Sequence, residues 1–362
     1  MKTSFWNGKK VFVTGHTGFK GGWLCLWLQE LGAKVTGYSL APSSHPNFFK
    51  VAEVEDNMNS IIGDIRDKDK LESILISTKP EIVFHLAAQP LVRRSYVDPV
   101  ETYTTNIMGT INLFEGIRKV ESIRSIVNVT TDKCYVNKEW YWGYRENEAL
   151  GGIDPYSSSK ACSEIITNTY RTCYFDNENN TLSKKFIGSA RAGNVIGGGD
   201  WSIDRIVPDI INSITNNTIL NIRSPNSIRP WQHVLSPLSG YLLLAEKLYS
   251  GEKRFSDAFN FGPSDTDCKT VKWIVKEFSN QWCTELKSNI DSTNHPHEAN
   301  ILKLDSTKAN SLLGWKPAWN IEESINSIVN WHKAYLNNEN KTNMKLQSIN
   351  QIKNYSSKLL KI

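Results

Sequence analysis

Short apolar runs alternate with longer amphipathic segments through the first half of the chain. The short runs predict β-strands at Lys10–Thr14, Lys34–Ser39, Ser60–Ile62, Ile82–Leu86, Ser125–Val129 and Phe186–Arg191. Between the first two strands, apolar residues recur at helical spacing from Phe19 to Leu31, and Gly32 suits the end of that helix. The same spacing predicts further helices over Lys68–Ser77, Val100–Val120 and Ser157–Phe175.

Strands that alternate with helices indicate a parallel sheet with right-handed crossovers. The predicted fold class is therefore α/β, with a doubly wound parallel sheet. After residue 195 the pattern loosens into short helices and Trp/Pro-rich segments, which predicts a smaller mixed α/β lobe. We predict a first domain over 1–194 with returning segments about 230–262, a substrate lobe over 195–229 and 263–335, and a peripheral or mobile C-terminal tail over 336–362.

Charge and cysteine content narrow the class of protein. The chain has 42 Lys and Arg against 37 Asp and Glu, and this balance of +5 is too mild to indicate a nucleic-acid partner. Six cysteines without a CxxC pair predict reduced thiols, as in the cytoplasm. The N-terminus enters a strand without a signal-peptide segment, and no run approaches the ~20 apolar residues of a membrane helix. We therefore expect a cytoplasmic protein with no membrane partner.

A glycine-rich turn joins the first predicted strand to the first helix. The segment VTGHTGFKGGW places Gly15, Gly18 and Gly21 where the chain must turn sharply, approach a pyrophosphate closely and pack a helix against a sheet. The start of the helix then offers N–H groups and a partial positive charge to the phosphates. The turn therefore predicts a Rossmann-type dinucleotide site.

The apolar run before residue 130 ends in the polar segment VTTDKCY, and a Tyr–Lys pair follows it. Tyr156 and Lys160 are four residues apart, hence on one helical face, where a nearby ammonium would lower the tyrosine pKa toward neutral pH. Tyr156 is then a candidate general base for a hydroxyl group. Charged residues at the end of a strand also occur where it merely reaches the surface, and YxxxK is frequent by chance.

Together these motifs resemble the extended branch of the short-chain dehydrogenase/reductase superfamily, in which GxxGxxG replaces the commoner GxGxxG. The resemblance implies that Thr131, favoured over Thr130, precedes the Tyr156 and Lys160 pair in the site. It also implies the cofactor NAD, although the second strand ends in Ser39 with neither the acid nor the arginine that would separate NAD from NADP. The family pattern assigns cofactor contacts, besides the three glycines, to Thr17, Phe19, Lys20, Ser39, Asp64, Ile65, Leu86, Ala87, Ala88, Tyr156 and Lys160.

Further blocks are similar to the nucleotide-sugar 4,6-dehydratases of this family. Those enzymes usually read Thr-Asp-Glu where this chain has Thr131, Asp132 and Lys133, and Thr-Asp-Lys is the form of the CDP-glucose 4,6-dehydratase branch. The blocks GHTGFKGGWL, HLAAQPLVRRSY, YSSSKACSE, RAGNVIGGGDW and RPWQHVLSPLSGYL extend the resemblance over about residues 5–335.

The resemblance implies dehydration of CDP-glucose to CDP-4-keto-6-deoxyglucose, a hydro-lyase reaction that serves deoxysugars of bacterial surface polysaccharide. Tyr156 would be the base at the carbon-4 hydroxyl, with Thr131 and Lys160 beside it. Asp132 and Lys133 would handle the elimination, and Lys133 would be a base only if neutral. Alternatives are another nucleotide sugar such as a GDP-heptose, a 4-epimerase, or a dinucleotide-binding protein without enzymatic activity.

Candidate substrate residues follow from the same motifs. Arg229 and Arg205 suit a diphosphate. The family pattern adds Gln89, Asn194, Trp201 and His233, although His233 is equally well explained as a core residue. His295, His297 and Glu298 look metal-like, but the implied chemistry needs no metal, and we expect none. The helices around 100–118 and 157–175 pair across a two-fold axis in related enzymes, which implies a homodimer.

Overall fold

The computed structural model describes residues 3–175, 184–291, 293, 299–337 and 343–360. Its strands are β1 Lys10–Thr14, β2 Lys34–Ser39, β3 Asn59–Ile62, β4 Ile82–His85, β5 Ser125–Val129, β6 Phe186–Ala192, β7 Val195–Ile196, β8 Leu220–Ile222, β9 Ile228–Pro230, β10 Gln232–His233, β11 Ala258–Phe261, β12 Cys268–Thr270 and β13 Ser288–Ile290.

The α-helices are α1 Thr3–Trp6, α2 Phe19–Glu30, α3 Phe48–Val51, α4 Lys68–Thr78, α5 Val92–Val97, α6 Pro99–Tyr103, α7 Gly109–Arg118, α8 Pro155–Tyr170, α9 Ile206–Asn216, α10 Leu235–Tyr249, α11 Val271–Trp282, α12 Ile321–Leu336 and α13 Met344–Leu359. Single turns of 3₁₀-helix lie at Val54–Asn57, Asp132–Cys134, Lys253–Phe255 and Asp265–Asp267, and π-helical turns at Thr104–Met108, Arg171–Phe175 and Ala309–Leu313.

A parallel sheet forms the centre of the described structure, with strand order β11-β6-β5-β4-β1-β2-β3. Every residue of β4, β5, β6 and β11 is buried, as expected for parallel strands covered by helices on both faces. The order reverses between β1 and β4, and Thr14 lies opposite His85 there. Such a reversal opens a crevice at the carboxyl ends of the strands, where ligands of this fold class bind.

A smaller group of elements lies beyond the carboxyl ends of the sheet. Three two-stranded ladders, β7 with β10, β8 with β13 and β9 with β12, combine there with α9, α11 and α12. Its apolar core includes Ile210, Ile274, Phe278, Ile325 and Ile328, all fully buried. The chain returns to the main sheet in between, because β11 pairs with β6 and α10 packs on β5 and β6. The exact division into domains stays a prediction.

Two predicted helices have different bounds in the structure. The stretch Val100–Val120 is divided into α6, a π-helical turn and α7, so the helix is not uniform. The stretch Ser157–Phe175 begins earlier, at Pro155, because the carboxylate of Asp154 accepts from the Ser157 backbone N–H at 2.9 Å and caps the helix. The polar segment DNENNTLSKK over 176–185, which the sequence predicts as a loop after this helix, lies mostly in 176–183, outside the described residues.

The prediction of a loosely attached C-terminal tail is wrong for residues 344–359, which form α13. Met344, Ile352 and Tyr355 on one side of this helix are buried. The Tyr355 ring contacts Trp27 of α2 and Trp319 edge-on, and its Oη accepts from the Ala318 backbone N–H at 3.0 Å. The helix therefore covers part of the main core. In the part of the chain described here, no helix is long and apolar enough to cross a membrane.

Candidate active site

The glycine-rich turn between β1 and α2 is built for close backbone approach. Gly15 has a φ of +76°, which side-chain-bearing residues rarely adopt, and a Cβ there would lie 2.7 Å from the Ala87 backbone nitrogen. A Cβ on Gly21 would overlap the Gly15 carbonyl oxygen. Gly18 precedes α2 in extended conformation and is exposed. The turn therefore presents backbone, rather than side chains, at the start of a helix, as a pyrophosphate site requires.

The ends of β2 and β3 border the same turn. Thr17 Oγ1 lies 2.6 Å from Ser39 Oγ, so hydroxyl groups stand where an acid or an arginine would separate NAD from NADP. Asp64 follows β3, but its carboxylate forms a bidentate pair with Arg66, at 2.5 Å for the shortest contact. This pair lowers the pKa of Asp64 through hydrogen bonding. Ile65 is buried in the core beside the sheet.

The loop after β4 is held by a buried hydrogen-bond network. Thr14 Oγ1 accepts from the backbone N–H groups of Leu86 and Ala87 at 3.2 Å each, and it lies 2.7 Å from His85 Nδ1. Because two donors already occupy this hydroxyl oxygen, Thr14 must donate to His85 Nδ1, which fixes the imidazole as its Nε2–H tautomer. Leu86, Ala87 and Ala88 are half-buried beside the glycine turn.

The two threonines after β5 have different partners. Thr130 Oγ1 donates to the buried carboxylate of Glu164, which also accepts from Ser189 Oγ at 2.7 Å and pairs with Arg191 at 2.9 Å. Thr131 Oγ1 instead donates to Asp132 Oδ1 at 3.0 Å and caps the short turn that follows. Thr130 is therefore committed to a structural ion pair, and Thr131 is the hydroxyl available to the site.

Tyr156 and Lys160 lie on the first turns of α8, next to the end of β5. Burial raises the pKa of Tyr156 to about 12, and hydrogen bonding with Thr131 opposes that shift. Lys160 Nζ donates to the Val129 carbonyl oxygen at 3.3 Å, and burial lowers its pKa to about 8. The downward shift predicted for Tyr156 from its spacing to Lys160 is thus reversed, because desolvation of the phenolate is the largest effect.

Asp132 is a buried carboxyl group surrounded by cations. Burial raises its pKa, and the charges of Lys133, Arg229 and Lys20 and the hydrogen bond from Thr131 oppose that shift. Its Oδ2 has no hydrogen-bond partner among the residues described. This oxygen lies against Gly193, where a Cβ would come within 2.8 Å of it. An unpaired buried carboxyl oxygen with a raised pKa is suited to hold and release a proton.

A cavity of about 310 Å³ joins these groups into one site at the carboxyl ends of β5 and β6. The side chains predicted for catalysis and substrate binding that line it are Thr131, Asp132, Lys133, Tyr156, Asn194, Arg205 and Arg229. Arg229 is buried and donates to the carbonyl oxygens of Ile228 and Asn300 at 2.9 and 3.3 Å. Arg205 pairs with the buried Asp200 at 3.2 Å. The cavity therefore contains arginine side chains as well as the proton-transfer groups.

Three residues predicted to bind the substrate do not line this cavity. Gln89 is buried, and its amide bonds Leu91 and Thr102. Trp201 packs on the α12 aromatics, with its ring 5.2 Å from that of Tyr335. His233 is fully buried between aromatic rings, and burial lowers its pKa to about 3. Their contact with the substrate stays a prediction: in this structure the three side chains are used for packing and loop structure, and the burial of His233 favours the alternative interpretation as a core residue.

Sequence reasoning missed several parts of the cavity. Lys20, predicted only as a cofactor contact, lines it together with Asp132. Asp200 lines it as the partner of Arg205, and Arg223 contributes from the end of β8. In the sequence, only one feature indicated that Lys20 lines the cavity: it is a charged residue in the first turn of a helix that packs against a sheet. Within the described residues no cluster of His, Cys, Asp or Glu could hold a metal ion, and His295, His297 and Glu298 lie outside them.

Comparison with known proteins places this fold and site in a family. The model described as GDP-mannose 4,6 dehydratase matches residues 12–328. A relative from Salmonella typhimurium, described as CDP-glucose 4,6-dehydratase, is 52% identical over 354 residues, which cover 98% of each chain. The chain belongs to this family. The resemblance inferred from the sequence motifs is thereby confirmed.

More distant relatives share the fold with other activities. A dTDP-D-glucose 4,6-dehydratase from Mus musculus is 26% identical, covering 91% of this chain and 90% of the relative. The solved structure of dTDP-glucose 4,6-dehydratase from Bacillus anthracis in complex with NAD has a TM-score of 0.73 and 21% identity, covering 92% and 98% of the two chains. That of Thermotoga maritima UDP-glucose 4-epimerase with UDP-glucose has a TM-score of 0.77 and 23% identity, covering 90% and 99%. The predicted α/β fold with a doubly wound parallel sheet is confirmed.

Proposed function

We propose that this protein is an NAD-dependent dehydratase that converts CDP-D-glucose to CDP-4-dehydro-6-deoxy-D-glucose. The observation that carries the proposal is the placement of Asp132 and Lys133 beside Tyr156 in one cavity. A simple reductase or epimerase needs the tyrosine but no acid and amine for eliminating water. The 52% identity to the Salmonella relative supports the choice of CDP-glucose.

NAD is the cofactor of the proposal, and the residues present fit it. Gly15, Gly18 and Gly21 leave room for its pyrophosphate, and the hydroxyls of Thr17 and Ser39 lie where its ribose would be bound. When bound, NAD would supply a hydride acceptor for carbon-4 of the hexose and a hydride donor for carbon-6, so no net cofactor would be consumed.

Oxidation at carbon-4 requires removal of the hydroxyl proton, and the chain supplies a base for it. Tyr156 would accept that proton as its phenolate, the form that hydrogen bonding with Thr131 favours and that the Lys160 ammonium would stabilise by its charge. Lys160 is held against β5 by its bond to the Val129 carbonyl oxygen. The 4-keto group then makes the carbon-5 proton acidic.

Elimination of the carbon-6 hydroxyl requires two proton transfers on the same hexose. Asp132 is the acid, because burial raises its pKa and favours the protonated form. Lys133 lies beside this carboxyl group and lowers that pKa again, so its ammonium stabilises the carboxylate left after the transfer. The elimination therefore depends on Asp132 and Lys133, whereas the first oxidation depends on Tyr156.

The arginine side chains that line the cavity form the proposed diphosphate site. Arg229 and Arg205 provide planar guanidinium groups that suit phosphate oxygens, and Asn194 adds an amide. The Asp200 carboxylate holds Arg205 in place. Nothing in these contacts distinguishes one nucleotide base from another, so a 4,6-dehydratase of a different nucleotide sugar is the nearest alternative.

A 4-epimerase is the second candidate, favoured by the relatives described as UDP-glucose 4-epimerases at 24–25% identity. The test is incubation of the pure protein and NAD with a panel of CDP-, dTDP-, UDP- and GDP-sugars. We expect the base-stable ultraviolet absorbance of a 4-keto sugar with CDP-glucose. An interconverted hexose without water loss would contradict the dehydratase, and the same product from another nucleotide sugar alone would contradict the choice of CDP.

A homodimer in the cytoplasm completes the proposal. Apolar side chains are exposed along α5, α6, the Thr104–Met108 turn and α8, where Val97, Val100, Met108 and Ile165 are 86%, 70%, 47% and 54% exposed. These elements pack on each other and form one face, which a second copy would cover. All six cysteines are free thiols, in keeping with a reducing compartment. The product would serve deoxysugars of surface polysaccharide.

A further inference from the structure

Lys20 is a charged residue in the catalytic cavity that the proposed steps have not used. It follows Phe19 in the first turn of α2 and lines the cavity that also holds Asp132, Lys133 and Tyr156. Its side chain is half-buried, and its ammonium has no hydrogen bond or ion pair with any described residue. A lysine without a carboxylate partner beside the reacting groups is available for chemistry.

The surroundings of Lys20 favour the neutral amine. Burial has the largest effect, and the charges of Arg205, from the loop before α9, and Lys160, from α8, add to it, while Asp132 opposes them. Together they lower its pKa to about 7. Lys133 is the cation with the largest electrostatic effect on the Asp132 carboxyl group. The site thus contains two amines near Asp132, of which Lys20 also faces the charges of Arg205 and Lys160.

We propose that Lys20, rather than Lys133, is the base that removes the carbon-5 proton. This inference rests on the proposed dehydratase activity. The first turn of α2 would then have two functions: its backbone binds the cofactor, and its Lys20 side chain takes part in catalysis. Lys133 serves the acid side of the elimination with Asp132.

The proton balance of this step is closed by groups in the cavity. The Lys20 amine takes the carbon-5 proton, and the electrons of that bond form the carbon-5–carbon-6 double bond as the carbon-6–oxygen bond breaks. The departing oxygen takes a proton from Asp132 and leaves as water. After hydride has returned to carbon-6, Lys20 gives its proton back to carbon-5.

The proton taken from the carbon-4 hydroxyl can restore Asp132. Hydrogen bonding with Thr131 lowers the pKa of Tyr156, and Thr131 Oγ1 donates to Asp132 Oδ1 at 3.0 Å. A proton received by Tyr156 would reach Asp132 through this one hydroxyl group. The overall reaction then releases one water and leaves every side chain in its starting state.

Two substitutions of Lys20 distinguish a role as general base from a role as phosphate ligand. Lys20→Met keeps the length of the side chain but removes the amine, and Lys20→Arg keeps the charge but cannot supply a neutral base near pH 7. With NAD and CDP-glucose, we expect both variants to form reduced nicotinamide and to lose water elimination by about a hundredfold or more. Both should stop the entry of solvent deuterium at carbon-5, with NAD affinity within about threefold of the parent protein.

The proposal also predicts the direction in which the rate of elimination changes with pH. A lysine pKa of about 7 leaves the amine protonated below that pH and neutral above it, so elimination should accelerate as pH rises through 7 in the parent protein. Both variants should lose this dependence. Groups that face the amine and could contribute are Lys160, Arg205 and Asp132, which the variants retain.

Three outcomes would contradict the assignment of Lys20 as the base. Activity kept in Lys20→Arg with weakened NAD binding in Lys20→Met would make Lys20 a phosphate ligand and overturn the proposal. Full elimination in both variants would also overturn it and leave Lys133 as the base. If the parent protein does not dehydrate CDP-glucose, the proposed function itself fails, and this result is recognised before any variant is compared. Normal thermal unfolding of both variants excludes misfolding as the cause of a loss.

Discussion

At the scale of single residues, adjacent residues of the same type have different roles in the site, one structural and one chemical. Thr130 and Thr131 are adjacent, yet one bonds a buried ion pair and the other bonds Asp132 and Tyr156. Sequence alone favoured Thr131 only by motif position. The direction of each hydroxyl depends on how β5 ends against α8, which only the packed structure determines.

This difference predicts opposite effects for two valine substitutions. Thr130→Val removes a donor from the buried Glu164 carboxylate and should lower the free energy of unfolding by about 1–3 kcal/mol, with turnover per folded molecule unchanged. Thr131→Val should lower turnover by about a hundredfold because the hydroxyl that links the reacting tyrosine to Asp132 is lost. Urea unfolding and steady-state kinetics on both variants check this. A Thr130→Val protein of normal stability but low turnover would contradict it.

Asp132 should affect the elimination and spare the oxidation. Asp132→Asn removes the acid while it preserves the volume beside Gly193, so NAD binding and the first hydride transfer should persist. Reduced nicotinamide should then accumulate in a single turnover, with loss of water slowed by about a hundredfold or more. Rapid-mixing absorbance and product analysis measure the two steps. Full dehydratase turnover in Asp132→Asn would rule out the acid role.

Gln89, Trp201 and His233 show where residue-level prediction stops. Their motifs correctly mark segments near the cavity, since Pro90, Leu91, Asp200 and Trp231 line it. Each predicted side chain, however, is used by its own loop or by the core. A motif fixes a backbone position, whereas the direction of a side chain depends on packing against distant elements. The predicted lowering of the Tyr156 pKa is wrong for a similar reason, because the burial of a side chain cannot be inferred from i,i+4 spacing.

At the scale of elements, strands and helices of the first half were predictable because their apolar patterns are continuous. The strands β1, β2 and β5 have the predicted bounds, and every residue of β5 is buried. Helix α13 was missed because its buried residues are few and lie among Asn, Ser and Lys. Its burial depends on the preceding helix α12 and on α2, which lies far away in sequence.

The packing of α13 predicts that Tyr355 is a major contributor to stability. Tyr355→Ala removes a fully buried ring that contacts Trp27 and Trp319 and should lower the free energy of unfolding by about 3–5 kcal/mol. Leu346→Ala, on the exposed side of the same helix, should change it by no more than about 0.5 kcal/mol. Urea unfolding of both variants compares them. Equal stabilities would mean that α13 is not part of the core.

At the scale of the whole molecule, the exposed apolar face predicts the oligomeric state. Met108→Asp places a charge on this face and should convert the dimer to a monomer. Ile219→Asp, at a similarly exposed apolar position in the smaller lobe, should leave the dimer intact. Light scattering after size-exclusion chromatography distinguishes the masses. A parent protein that is already monomeric, or a Met108→Asp variant that stays dimeric, would contradict this assignment.

The central claim is that hydride leaves and returns to the same hexose while water is lost between the two transfers. Incubation with CDP-glucose carrying deuterium at carbon-4 tests it most directly, with the product analysed by nuclear magnetic resonance. The proposal predicts deuterium at carbon-6 of a 4-keto-6-deoxy sugar, with no net reduction of NAD. Deuterium retained at carbon-4 of an epimerised hexose, or found in released reduced cofactor, would contradict it.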